Sequence, residues 1–288
     1  MTPMGVAEVL RAAITGSVLL LVFALGLRAT AEEATYLLRR PGKLARAILV
    51  MYVIVPGAAV LLAWLFEFRP PVEVALMATA ISPVPPILPS RQLKAGGHAG
   101  YVYGLLVAMA LCAILTVPLS LTVIEQVARR PLRIDVLGVA GVVGMTVLAP
   151  IILGILVRRF APAVATRLAT PVSRLGMVLL VVGLVPLLVG SAPEMWQLLG
   201  NGTLVAVALV VAVAVVAGHY LGGAEPGERT ALVIASAMRH PGVALAVARL
   251  NAPDEVLVPA AVLVFVFQAA IVTTVYGAVT ARRRRLPA

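Results

Sequence analysis

The chain is poor in the residues on which most soluble catalysis depends. Cys112 is its single cysteine, so no internal disulfide can form, and a lone thiol inside an apolar run reads as a small packing residue. Only 12 residues are acidic. From Glu8 through Glu255 they sit in loops or at the ends of apolar runs, which leaves no paired carboxylates inside one and no acidic metal cage. His-Glu-x-x-His, Gly-x-Ser-x-Gly and a phosphate-cradling glycine loop are missing, so nothing points to an enzyme, a cofactor or a metal. Long polar stretches are missing too, and with no connection above about 17 residues there is no room for a soluble domain.

What the chain does have is apolar length. Of its 288 residues 61% are hydrophobic and 12% charged, with a mean hydropathy of +1.06, where a soluble domain carries about a quarter charged. Runs of 18 or more apolar residues are long enough to cross about 30 Å of hydrocarbon. Bounded by Gly, Pro and charge clusters, nine spans are predicted, at 9–27, 44–66, 72–89, 100–124, 136–157, 175–190, 203–221, 230–250 and 256–280. The expected fold is one all-α membrane domain over residues 1–288.

The net charge of +11 sorts by side of the membrane rather than forming a nucleic-acid footprint. Alternate loops hold Arg28, Arg39, Arg40, Lys43, Arg46, Arg91, Lys94, Arg158, Arg159, Arg167, Arg174, Arg229 and Arg282 to Arg285. The others hold only Arg11, Arg69, Arg129, Arg130, Arg133 and Arg249. The positive-inside tendency then puts the protein in the cell membrane with its N-terminus outside and its C-terminus in the cytoplasm. Ala29-Thr30-Ala31 imitates a signal-peptide cleavage site, but Glu8 and the length of the first apolar run argue for a retained span. Arg91 and Lys94 are expected to snorkel to the cytoplasmic boundary, and the Arg282 to Arg285 run to anchor at anionic membrane lipid.

Two spans cannot be continuous helices. The third contains Ile81-Ser82-Pro83-Val84-Pro85-Pro86-Ile87-Leu88-Pro89, where each proline lacks a donor and collides with the preceding turn. The eighth contains Ser236-Ala237-Met238-Arg239-His240-Pro241-Gly242, with Pro241 pushing His240 out of helical dihedrals. Unwound backbone is not tolerated against lipid, so both stretches should lie within protein or line a cavity. Five spans apart, the breaks run in opposite directions, as inverted repeats place them in secondary transporters, with the substrate where two discontinuous helices cross. A channel or uniporter-like pore is the alternative, since broken helices also build filters.

These motifs resemble the bile acid:sodium symporter family. The resemblance implies two crossed discontinuous helices between a core and a panel domain, a form lacking the first of ten spans, and repeat arms in spans 1 to 4 and 6 to 9. It also exposes departures. The family's sodium-binding Glu falls on Ala235, its Gln on Arg239, the following Asn on His240, and its Ser-Asn pair near Leu88 and Pro89, while residues 99–115 contain no Ser or Thr. A monovalent cation needs several oxygen ligands, so transport is expected to be independent of sodium.

Arg239 is the natural substitute for the ion, because a guanidinium near mid-membrane demands an anionic or carbonyl partner. The expected substrate is a small organic anion held by Ser82, Pro83, Pro85, Pro86, Arg239, His240 and Pro241, with Ser236 and Gln268 as polar lining. His240 is also a candidate for proton coupling, although adjacent Arg239 disfavours a second positive charge. The oligomeric state is not readable from one chain.

Overall fold

A computed structural model describes residues 5–128, 136–200 and 202–285. Arg129, Arg130 and Arg133, counted above on the poorly charged side, lie outside them. The described residues form fifteen α-helices and two π-helical stretches with no strand. In order the first seven are α1 (Val6–Gly26), α2 (Ala31–Ala34), α3 (Pro41–Ile48), α4 (Val55–Leu65), α5 (Pro70–Ile81), α6 (Leu88–Lys94) and α7 (Ala99–Ala128). They continue with α8 (Val136–Val143), α9 (Ala149–Phe160), α10 (Pro162–Gly190), α11 (Ala192–Leu198), α12 (Thr203–Leu221), α13 (Pro226–Ala237), α14 (Pro241–Asn251) and α15 (Val258–Arg285).

Eight helical stretches among the described residues are apolar and long enough to cross a membrane. The expected third span is not one of them. It is divided into α5 and α6 by Ser82–Ile87, and α5, at 12 residues, is too short to cross alone. The expected eighth span is divided too, into α13 and α14, but its 26 residues read together as a crossing. α10 begins at Pro162, well before the expected residue 175, and runs through Pro171 without interruption.

α1 packs along α10 and α9, where Gly26 and Gly154 face each other so closely that a Cβ on either would run into the other's backbone. One apolar core runs through α3 to α7 and α12 to α15 and takes in Val22 and Leu25 of α1, Val139 and Val143 of α8 and Ile151 of α9, with Val50, Met51, Leu88, Leu105, Ile234 and Val262 all buried. Both breaks lie inside it.

The linker from α1 to α3 is held by local chemistry. Thr30 caps α2, its hydroxyl accepting from Glu33 N–H at 3.1 Å while the Glu33 carboxylate accepts from Thr30 N–H at 2.8 Å. Tyr36 then donates its hydroxyl to Glu228 at 2.6 Å, Lys43 pairs with the same carboxylate at 2.5 Å, and the Arg40 guanidinium stacks over the Tyr36 ring at 3.7 Å. Burial, and next the bond to Glu228, raise the Tyr36 hydroxyl above its usual pKa.

Candidate functional site

The first break follows from proline arithmetic. α5 ends where Ser82 turns extended, its hydroxyl donating to Ala78 O at 2.6 Å. In a continuing helix the Ser82 carbonyl would accept from residue 86 and the Ala78 carbonyl from residue 82. Residue 86 is proline, so Ser82 O has no helical donor. Ser82, Pro83, Val84, Pro85 and Pro86 are all buried. The Pro85 carbonyl takes Leu88 N–H at 3.0 Å and starts α6.

The second break supplies the missing donors. Arg239 is 1% exposed, and its Nη1 donates to Ser82 O at 3.1 Å. Backbone joins backbone as well, since His240 N–H donates to Pro83 O at 2.9 Å. The two breaks are thus hydrogen-bonded to each other, which accounts for unwound chain being stable inside an apolar core.

Arg239 has a second partner that sequence reasoning missed. Its Nη2 donates to Met51 O at 2.8 Å. Met51 lies in the π-helical stretch Leu49–Ile54 between α3 and α4, where Val55 N–H reaches five residues back to Val50 O. On that register Met51 O requires the N–H of residue 56, and residue 56 is proline. The carbonyl is therefore left over for the guanidinium. The signal was Pro56 in the second span, a proline with no hydroxyl nearby to repair its lost bond.

His240 points its chemistry elsewhere. As the residue before α14, its Nδ1 accepts from Gly242 N–H at 3.1 Å and from Val243 N–H at 3.4 Å. A doubly protonated ring has no lone pair for that cap, so the ring is neutral with its proton on Nε2. That atom and Arg239 Nε are buried without a protein partner. Pro241 opens α14 at its first turn, where its missing N–H costs nothing.

Two expected lining residues make hydrogen bonds to α12. Ser236 is fully buried, its hydroxyl donating to Ala214 O of α12 at 2.8 Å and to Val233 O at 3.0 Å. Gln268 on α15 donates to Leu204 O, also on α12, at 2.9 Å, and its Oε1 is buried without a partner. Both hold helices together. Ala235 is fully buried and offers no side-chain oxygen.

A cavity of about 260 Å3 runs along α5, with no residue of either break in its lining. It lies between α5, α7 and α14, with Glu73, Asn251 and Glu255 among its polar lining and Ala78 and Ile81 on the side that adjoins Ser82. A second, about 150 Å3, is lined by Leu121, Gly138, Val139, Val142, Ala246, Val247 and Leu250, where α14 meets α8. Its apolar walls suit the hydrocarbon part of an amphiphile.

The sequence profile of the Sodium Bile acid symporter family matches residues 17–198. That range contains the first break and Met51, while Arg239 and His240 fall beyond it. No curated protein matches the chain. A match over more than half of the chain, together with helices apolar enough for many crossings, makes this a multi-pass membrane transporter of the organic-anion type that belongs to the sodium bile acid symporter family.

Proposed function

We propose that the protein is a secondary transporter carrying a small organic anion without sodium, in which Arg239 does the work of the bound cation. The observation that carries this reading is the environment of the guanidinium: it is buried, held by the carbonyls of Met51 and Ser82, and has no carboxylate partner among the described residues. Carbonyls satisfy its hydrogen bonds and leave a whole positive charge in a medium where charge is expensive. An anionic substrate entering the cavities beside α14 supplies the opposite charge. The oxygen ligands a sodium ion needs are replaced by Ala235, Arg239 and His240, and Arg239 occupies carbonyls that such an ion would use.

The same reading makes nine crossings, with α5 and α6 together forming the third, and relates the halves as inverted repeats whose discontinuous helices cross at the bonded breaks. It places the N-terminus outside and the C-terminus in the cytoplasm. Ser82, Pro83, Pro85, Pro86, Arg239, His240 and Pro241 form the substrate region, and Ser236 and Gln268 frame it from α13 and α15. Counterflow of a labelled bile acid in proteoliposomes tests the central residue. Arg239→Gln is expected to abolish it, and unchanged affinity in that variant would refute the role of the charge.

A further inference from the structure

Arg91 lies near the end of α6. It reaches across to α15, donating to Ala270 O at 2.9 Å, to the Thr274 hydroxyl at 2.5 Å and to the Thr273 hydroxyl at 3.4 Å, with Met238 Sδ at 3.3 Å. No carboxylate pairs with it among the described residues. The guanidinium opens into a shallow groove of about 510 Å3 lined by Arg91, Phe267, Ala270, Ile271, Thr274 and Val275. Phe267, Ile271 and Val275 are 41%, 64% and 58% exposed on a helix apolar enough to cross the membrane, so this face meets lipid.

We propose that this groove binds the phosphodiester headgroup of an anionic phospholipid from the leaflet on the Arg282 side. A cation beside a hydroxyl, walled by apolar side chains and open to hydrocarbon, fits a phosphate with an acyl chain lying along Phe267, Ile271 and Val275. Thr274 is about 12 Å along α15 from Arg282, so the headgroup is drawn inward from the boundary, as arginines inside bilayers draw polar groups. A zwitterionic headgroup carries its own cation and gains less. Because Arg91 also touches Met238, where α13 ends, lipid occupancy bears on the second break. The inference stands independently of what Arg239 binds.

The test uses the full chain carrying Ile271→Trp as reporter, with Trp64→Phe and Trp196→Phe, in phosphatidylcholine vesicles containing brominated phosphatidylglycerol or brominated phosphatidylcholine. Quenching is expected to favour phosphatidylglycerol about fivefold. Arg91→Gln should remove that preference and Thr274→Val should reduce it, the latter carrying the test if the former does not reconstitute. Equal quenching by the two lipids, a preference that survives in both variants, or displacement of the quencher by a bile acid would overturn the proposal.

Discussion

The two breaks solve the same problem with opposite chemistry. The first, Ser82–Ile87, is rich in prolines, its hydroxyl is committed to Ala78 O, and what it presents to the second break is acceptors, the carbonyls of Ser82 and Pro83. The second, Met238–His240, offers donors: a guanidinium and a backbone N–H aimed at Ser82 O and Pro83 O. Either stretch alone would leave buried polar groups unsatisfied at about 1–3 kcal/mol each. Together they satisfy Ser82 O and Pro83 O, and in the function proposed above the residual charge on Arg239 is what remains available for a substrate.

The comparison breaks most completely at the donor. Arg239→Lys keeps the charge and loses the fork that spans two carbonyls, so transport is expected to fall at least tenfold, measured as initial uptake rate; uptake at the normal rate would show that charge alone suffices. Next comes the network at the start of α13, where Glu228 is buried against Lys43 and Tyr36. Lys43→Met leaves the carboxylate without its cation and should lower thermal stability in detergent more than Lys43→Met combined with Glu228→Leu. The reverse order would mean that the pair is a surface contact of little weight.

Smaller effects sharpen the account of the acceptors. Pro56→Ala restores an N–H that competes with Arg239 for Met51 O and should cost uptake about fivefold, close to 1 kcal/mol. His240→Ala removes the cap of α14, worth about 1 kcal/mol and roughly 2–4 °C in melting temperature, while leaving the pH profile of uptake unchanged. A shifted profile would restore His240 as a proton carrier. Gln268→Leu should change uptake least, since its amide serves α12.

Much of this arrangement was legible in the sequence, because it follows from what proline forbids. Four prolines between Pro83 and Pro89 located one break, and Pro241 beside Arg239 located the other. The lack of a buried carboxylate left a backbone carbonyl as one candidate partner for Arg239, and Ser82 O is such a partner. Met51 stayed hidden because its carbonyl is freed by a proline five residues on, and a π-helical register leaves no mark in hydropathy. The partners of Arg91 stayed hidden for a related reason: position near a span end predicts snorkelling and says nothing of the acceptors on α15, which are a tertiary fact. Ser236 and Gln268 are polar residues in apolar runs, and only the packing of α12 decides that they serve it.

The measurement that bears most directly on Arg239 standing in for a bound cation is substrate uptake into proteoliposomes with external sodium replaced by choline at constant pH. The account predicts the same initial rate and the same accumulation in both media. Uptake that collapses in choline would contradict it, and would require a sodium site built from oxygens other than those that Arg239 holds.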